Sequence, residues 1–215
     1  MSVITARSTG AVERLDFGVL TVAFDGSVLR PRPWTMMQSN WAAEIARSAP
    51  AGPMLELCSG AGHIGLLAAV LSGRRLVQVD SEPSACRFAR FNAERTSIGD
   101  EVEIRCSDIG SALRPAERFP LILADPPYVP SADVARFPDD PPLAIDGGGS
   151  GLELVVECLD VASAHLSDGG ACLLQLRGPS QVAEIESLAV ARSLTVDDVR
   201  VARWDRAVAL LRGQR

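Results

Sequence analysis

The chain has 215 residues, which is the length of one domain with or without a small extension. Hydrophobic residues make up 47% and charged residues 22%, a balance that excludes a disordered, collagen-like or coiled-coil protein. The longest apolar runs fall far short of the roughly 20 residues of a membrane span. Because residues 1–14 also lack the apolar stretch of a signal peptide, we expect a cytoplasmic protein with no membrane partner.

Charge is distributed unevenly along the chain. All 21 basic residues are arginines, so no lysine is available for a Schiff base or for a phosphate-binding loop. Residues 97–160 contain 4 arginines against 13 acidic residues, and the acidic pair Asp139 and Asp140 within them is expected to lie in a solvated loop. A segment of charge −9 repels phosphate, which argues against a large nucleic-acid footprint.

The five cysteines are widely spaced, at Cys58, Cys86, Cys106, Cys158 and Cys172. None of them forms a CxxC pair or a Cys/His spacing typical of a metal site. We therefore predict reduced thiols that serve mainly as small core residues, and no metal site.

The first 50 residues predict an N-terminal extension made of a hairpin and a helix. Residues 17–24 have a strand-like pattern, and Asp25-Gly26 is typical of a hairpin turn. A helix is predicted over residues 34–48. Trp34 and Trp41 are seven residues apart on it, so we expect them to share a face in the core, with a lid over a bound ligand as the alternative.

From residue 54 onward, strand and helix patterns alternate, which predicts a parallel sheet with helices on both faces. The predicted strands cover residues 54–57, 76–79, 102–106, 121–124, 171–176, 195–201 and 207–211. The predicted helices cover residues 64–71, 84–94, 152–165 and 181–191. Because a short turn at residues 204–206 joins the last two strands, they must be antiparallel. Residues 51–215 are thus predicted to form an α/β domain with a doubly wound, mostly parallel seven-stranded sheet and an antiparallel strand near the C-terminus.

The loop after the first strand of this sheet is rich in glycine. Gly60, Gly62 and Gly65 form a GxGxxG pattern between a strand and a helix, and Asp80 ends the next strand. Glycines let a backbone approach a ligand closely, and a helix N-terminus offers free N–H groups. A carboxylate at the end of the second strand can accept both hydroxyls of a ribose. The pattern predicts an adenosine-containing cofactor, and a nicotinamide dinucleotide fits it as well.

Two acidic residues favour a methionine-containing cofactor over a dinucleotide. Glu56 lies four residues before Gly60, where it would repel a pyrophosphate but not the ammonium of a methionine moiety. Asp108 follows the third strand, where it can accept from an adenine amine while Ile109 packs on the ring. These features resemble the Rossmann-like methyltransferases that depend on S-adenosylmethionine, whose sheet ends in the same antiparallel hairpin.

The tetrapeptide Asp125-Pro126-Pro127-Tyr128 follows the fourth strand, at the edge of the sheet where ligands bind. The lone pair of a planar amide or aromatic amine is delocalised, so its nitrogen attacks a methyl group better when acceptors hold both N–H bonds. Asp125 supplies a carboxylate oxygen, and Pro126 supplies a carbonyl whose direction two successive prolines fix. Tyr128 can stack on the planar group. We therefore predict Asp125, Pro126, Pro127 and Tyr128 as catalytic residues that act by positioning and electrostatics.

Three stretches of the sequence indicate which family of methyltransferases the chain resembles. DPPY resembles the [DNS]PP[YF] motif of methyltransferases that modify planar nitrogens. Residues 29–35 resemble the PRPET segment of HemK/PrmC-type methyltransferases, and residues 141–152 resemble the segment that follows NPPY in that family. The family has asparagine at the position of Asp125 and glutamate at that of Trp34. The helical N-terminal domain of its bacterial release-factor members has no counterpart in this sequence.

The resemblance covers roughly residues 28–177 and implies S-adenosylmethionine as the cofactor. It also implies methylation of a protein glutamine, that of the Gly-Gly-Gln loop in peptide-chain release factors. The alternatives are an exocyclic amine of adenine or guanine in RNA or DNA, a small molecule, and a catalytically silent subunit; a small partner subunit is compatible with each. The predicted cofactor-binding residues are Thr35, Glu56, Leu57, Cys58, Ser59, Gly60, Gly62, Ile64, Asp80, Ser81, Asp108, Ile109 and Asp125.

Overall fold

A computed structural model describes residues 10–203 and 205–214 of the chain. The strands in this part of the chain are β1 (Glu13–Phe17), β2 (Leu20–Phe24), β3 (Met54–Leu57), β4 (Leu76–Asp80), β5 (Val102–Cys106), β6 (Phe119–Ala124), β7 (Leu166–Leu176), β8 (Leu194–Arg203) and β9 (Arg206–Gly213). The helices are α1 (Met36–Ala46), α2 (His63–Ser72), α3 (Pro83–Ala93), α4 (Glu153–His165) and α5 (Pro179–Val190). Each strand and helix predicted from residue 54 onward is present.

Seven strands form one sheet in the order β5-β4-β3-β6-β7-β9-β8. The five strands from β5 to β7 are parallel, whereas β9 runs antiparallel to both of its neighbours. This order confirms the predicted Rossmann-like fold class. The turn between β8 and β9 was predicted at residues 204–206, and its first residue lies outside the described part of the chain. The direction of winding reverses between β3 and β6, and ligands bind in the crevice at such a point.

The central strands are buried on both faces, as their continuous apolar runs require. Leu55 and Ile122 pack with α4 and α5 on one face of the sheet. Met54, Leu121 and Leu123 pack with α1 and α2 on the other face. The carboxyl ends of β3 and β6 are thereby held side by side in the middle of the molecule.

The N-terminal hairpin turns earlier than the sequence predicted. Phe17 pairs with Leu20, so the two-residue turn is Gly18-Val19 rather than Asp25-Gly26. Gly18 has a φ of 61°, a conformation that glycine adopts without strain. Asp25 lies beyond the hairpin, in the loop that follows β2, where its Oδ1 accepts from the Ser27 backbone N–H at 2.8 Å.

The predicted shared face of Trp34 and Trp41 is wrong. Arg32 precedes a proline and is extended, and a short 3-10 turn (Pro33–Thr35) separates it from α1. A residue before proline disfavours the helical region, so the α-helix begins only at Met36. Trp41 is buried in the core, whereas Trp34 lies at the edge of a cavity described below.

Residues 10–50 pack directly on the rest of the described chain. Phe17 and Val22 of the hairpin share a cluster with Leu67 of α2 and Phe88 of α3. This packing does not test the predicted domain boundary at residue 50, which remains a prediction. None of the described helices combines the length and the apolar character that crossing a bilayer requires.

The thiols are free, and three of the five are buried as predicted. Cys86, Cys158 and Cys172 lie in the interior, and burial raises the pKa of the Cys172 thiol to about 12. Cys106 is exposed, and Cys58 is half-buried in the glycine-rich loop.

Candidate active site

Two cavities meet at the carboxyl edge of the sheet. The first, here called the glycine-loop cavity, has a volume of about 390 Å³ and is bounded by Gly60, Asp80 and Ile109. The second, here called the DPPY cavity, has a volume of about 290 Å³ and is bounded by Trp34 and Tyr128. The residues that line both cavities are Leu29, Asp125, Pro127 and Ala144. The two cavities therefore adjoin at these four residues.

The glycine-rich loop joins β3 to α2 through a run of left-handed residues. Cys58, Gly60 and Gly62 have φ values of 55°, 53° and 82°. The Asp80 carboxylate secures the loop, because its Oδ2 accepts from the Gly60 N–H at 2.7 Å. Its Oδ1 accepts from the Glu82 N–H at 2.9 Å. Burial raises the pKa of Asp80, and these backbone hydrogen bonds oppose the shift.

Most of the predicted cofactor-binding residues line the glycine-loop cavity. They are Cys58, Ser59, Gly60, Ile64, Asp80, Ser81, Asp108, Ile109 and Asp125. Four others do not line it. Leu57 is fully buried in the core, and Gly62 lies behind the loop against the Gln78 side chain. Thr35 lines the DPPY cavity instead, where its Oγ1 donates to the Arg32 carbonyl at 2.8 Å.

Glu56 is the fourth exception, and its side chain lies beneath the loop. It is only 2% exposed, and its carboxylate accepts from the Gly65 N–H at 3.0 Å and from the Gln78 amide. Burial raises the pKa of Glu56 to about 8, although both hydrogen bonds act in the opposite direction. The geometry therefore gives Glu56 the task of holding the start of α2 on β3. It does not support the predicted contact with a ligand ammonium.

The glycine-loop cavity is acidic. Six carboxylate side chains line it and no arginine does, among the residues that the structure describes. They are Asp80, Glu82, Asp108, Asp125, Asp146 and Glu157. The sequence reasoning did not name Glu82, Asp146 or Glu157 as lining residues. In the sequence, Asp146 and Glu157 are indicated only by the charge of −9 on residues 97–160, to which both contribute.

In the DPPY cavity, Asp125 and Tyr128 stand at the end of β6. Burial raises the pKa of Asp125 to about 7, and the Arg206 guanidinium opposes this shift. Burial likewise raises the pKa of Tyr128 above its ordinary value. Gln38, a buried residue of α1, donates its amide to the carbonyls of Ala124 at 3.1 Å and Leu173 at 2.9 Å. It thus fixes the strand end that carries the motif, and nothing in its local sequence indicates this role.

The segment after DPPY folds back on the motif. The Val129 N–H donates to the Ile145 carbonyl at 3.0 Å, and the Gly147 N–H donates to the Val129 carbonyl at 2.8 Å. Gly147 packs so closely that a Cβ there would lie 2.7 Å from the Pro127 carbonyl oxygen. A Cβ at Gly151 would lie equally close to the Tyr128 carbonyl oxygen. The glycine-rich stretch therefore supports the backbone of the motif.

Three arginines from distant parts of the chain line the DPPY cavity, and each faces an acid. Arg32 donates to both oxygens of Asp140, the longer contact being 2.7 Å. Arg206 contacts Asp205 at 2.8 Å, and Arg177 lies 3.8 Å from Asp133. The Asp140 side chain is only 15% exposed, so its expected place in a solvated loop is wrong. These three arginines come from outside residues 97–160. The charge of −9 on that segment therefore does not give the net charge around the cavity.

Comparisons with known proteins agree with this arrangement. The family described as conserved hypothetical protein 95 matches residues 21–137, more than half of the chain. The release factor glutamine methyltransferase of Gloeobacter violaceus is 31% identical over 76% of this chain and 60% of its own length. The ribosomal protein uL3 glutamine methyltransferase of Burkholderia pseudomallei is 29% identical over 58% of this chain and 44% of its own length. This chain thus spans about three fifths, or less, of these relatives.

Solved structures share the fold. The catalytic domain of hMettl16, in complex with MAT2A 3′UTR hairpin 1, superposes with a TM-score of 0.72. The match covers 92% of this chain and 75% of that domain at 16% sequence identity.

Proposed function

Since this chain belongs to the conserved hypothetical protein 95 family and has release factor glutamine methyltransferases of the HemK/PrmC type among its relatives, we propose that it is an S-adenosylmethionine-dependent N-methyltransferase acting on a protein glutamine. The relatives match the family that residues 29–35, 125–128 and 141–152 resemble. The observation that carries the proposal is the shared wall of the two cavities, because Asp125 and Pro127 line both. A methyl donor in one cavity would thus face an acceptor nitrogen in the other.

The glycine-loop cavity suits a cationic cofactor. S-adenosylmethionine carries a sulfonium and an ammonium, and six carboxylates line the cavity with no arginine among its described residues. A dinucleotide would bring two phosphate charges to the same wall, which like-charge repulsion disfavours. Asp80, which lines this cavity, would accept from the ribose hydroxyls, and Asp108 with Ile109 would hold the adenine.

Three groups at the end of β6 would hold the acceptor nitrogen. The Asp125 carboxylate and the Pro126 carbonyl accept its two N–H bonds, and Tyr128 stacks on the plane of the amide. The bound cofactor supplies an electrophilic methyl group on sulfur. The nitrogen, held by Asp125 and Pro126, would take that methyl group and pass its extra proton to water or to Asp125. The protein contributes positioning and a fixed negative charge near the nitrogen as it becomes positive.

A protein substrate fits the DPPY cavity better than a phosphate backbone does. Each of the three arginines that line it lies beside an acidic side chain that offsets its charge, so they do not form the uncompensated basic surface that nucleic-acid binding uses. A glutamine between glycines is narrow and carries no charge, and a cavity of about 290 Å³ can take its side chain. Methylation of an exocyclic amine in RNA or DNA is the second candidate.

A tritiated-methyl transfer assay tests the proposal. Total protein and total RNA, from cells in which the protein is missing, are offered separately with labelled S-adenosylmethionine. We expect the label in a protein band that yields methylglutamine on digestion. We also expect transfer to a peptide that contains Gly-Gly-Gln and none when alanine replaces the glutamine. Label in RNA alone, lost as salt rises from about 50 to 200 mM, would establish the second candidate instead.

A further inference from the structure

Arg206 brings a partly unused guanidinium to the DPPY cavity. It is the first residue of β9, and because β9 is antiparallel to β7, this residue lies at the carboxyl edge of the parallel strands. Its Nη1 donates to the carboxylate and the carbonyl of Asp205. Its Nε is buried, and neither Nε nor Nη2 has a hydrogen-bond partner among the described residues. Nε and Nη2 form the edge of arginine that commonly binds two acceptors.

Aromatic rings hold this guanidinium in place. Its central carbon lies 5.2 Å from the centroid of the Trp34 ring and 5.9 Å from that of Tyr128. Both distances are within the range of cation–π attraction, and the Arg206 side chain is only 20% exposed. The unused edge is therefore fixed before any substrate enters.

The carboxylate of Asp125 is on the same cavity wall but does not reach Arg206. No nitrogen of Arg206 lies within 4.0 Å of an Asp125 oxygen, although the Arg206 charge opposes the rise that burial causes in the pKa of that carboxyl. Arg32 is engaged by both oxygens of Asp140, and Arg177 is half-exposed near Asp133. Among these three arginines, Arg206 is the one with a buried Nε that has no hydrogen-bond partner among the described residues.

We propose that Arg206 is a substrate-positioning residue. It donates a hydrogen bond to the carbonyl oxygen of the carboxamide whose nitrogen is methylated. The inference rests on the proposed function and assigns the group that binds the carbonyl oxygen of its primary carboxamide. A carboxylate only accepts hydrogen bonds, so Asp125 can hold the N–H of a carboxamide but not its carbonyl oxygen. That oxygen needs a donor, and the unpaired edge of Arg206 supplies one.

The proposal is tested by a double-mutant cycle between Arg206 and Asp125. Asparagine both accepts and donates, so D125N supplies the donor that Asp125 lacks and reduces the need for Arg206. We expect R206M to lower kcat/KM for the Gly-Gly-Gln peptide by about fiftyfold in the wild-type background, and by less than about fivefold in the D125N background. Cofactor affinity should not change, because Arg206 lines only the DPPY cavity. R47M removes an exposed arginine that lines neither cavity, and we expect a change below about threefold.

The outcomes separate this inference from the proposed function. An equal loss from R206M in both backgrounds overturns the role of Arg206 while the methyl transfer itself stands. A wild-type protein that transfers no methyl group to protein or peptide overturns the proposed function. If R206M does not fold, R206K replaces it in the cycle, since lysine keeps the charge but lacks the Nε–Nη2 edge.

Discussion

The backbone N–H of Gly65 donates to the carboxylate of Glu56, with 3.0 Å between the nitrogen and Oε1. The two residues are packed so closely that a Cβ at Gly65 would lie 2.3 Å from Oε2 and 2.9 Å from the carboxyl carbon. Glu56 is buried and also accepts from Gln78, so it has little freedom to move away. The first turn of α2 therefore packs directly on β3, and this contact fixes the position of the glycine-rich loop relative to the sheet.

Replacement of Gly65 by alanine should therefore be strongly destabilising. We expect G65A to lower the free energy of unfolding by about 2–3 kcal/mol, because the added methyl group overlaps a buried carboxylate. G26A is the matched control, since a Cβ at Gly26 would meet no atom within 4 Å and the residue needs no positive φ. We expect G26A to be neutral or slightly stabilising. Equal effects of the two changes in urea denaturation would contradict the close contact.

The same carboxyl should make stability depend on pH. Burial raises the pKa of Glu56 from 4.5 to about 8, so between these values the folded state retains a proton that the unfolded state loses. As the pH rises through this window, the contribution of Glu56 to stability falls by about 1.4 kcal/mol per unit. We expect the unfolding free energy of wild type minus that of E56Q to decrease between pH 5.5 and pH 8. Asp125, whose pKa is also raised, is present in both proteins and cancels. A difference that is constant with pH would refute the shift.

The sequence predicted the central strands well, because their signal is local. The predicted bounds of β3 and β5 agree with the structure, since each is a short run between glycine, proline or polar residues. Strand β7 begins earlier than predicted, at Leu166, which pairs with Phe119. Residues 167–170 are polar or glycine and carry no strand pattern; the register with β6 is irregular across them, and Gly169 has a φ of 71°. The hairpin turn was misplaced because Gly18 turns the chain without the usual Asn-Gly or Asp-Gly signal.

The residues of the candidate site differ in the same way. Some belong to contiguous sequence motifs, and others are brought to the site only by tertiary packing. The glycine-rich loop and DPPY were predictable because each is a contiguous motif after a strand. The orientation of Glu56 follows from strand alternation: it shares a face with Met54, and that face packs on α1 and α2. Gln38 and Arg206 reach the site only through tertiary packing, and no spacing in the sequence connects them with Asp125.

Asp80 should control cofactor binding. Its carboxylate lines the glycine-loop cavity and holds the Gly60 N–H, so D80A removes a ribose acceptor and loosens the loop. We expect calorimetry to show a loss of about 1.5–3 kcal/mol in the binding of S-adenosylmethionine. D100A removes the same charge near the start of β5, at the opposite edge of the sheet, and should leave the affinity unchanged. Tight binding of NAD, or full affinity in D80A, would argue against the assigned cofactor.

Tyr128 should act on turnover and not on the cofactor. It lines the DPPY cavity alone, so Y128A should reduce kcat by about a hundredfold or more while the dissociation constant of S-adenosylmethionine changes little. Y128F keeps the ring that stacks on the amide. We therefore expect Y128F to retain most of the activity. Near wild-type turnover in Y128A would mean that DPPY serves only as a turn.

The ionisation of Asp125 should appear in the pH profile of methyl transfer. Burial raises the pKa of this carboxyl to about 7, and the ionised form accepts more strongly from the amide N–H and attracts the positive sulfonium. Below pH 7 we expect kcat/KM for S-adenosylmethionine, measured at low substrate, to fall about tenfold per unit. Above pH 7 it should be level, since the free enzyme is then already ionised. D125N should show a flat profile over this range, whereas D139N, which changes an exposed acid of the same segment, should keep the acidic limb. If kcat/KM of D125N still falls below about pH 7, the fall arises from the ionisation of another group.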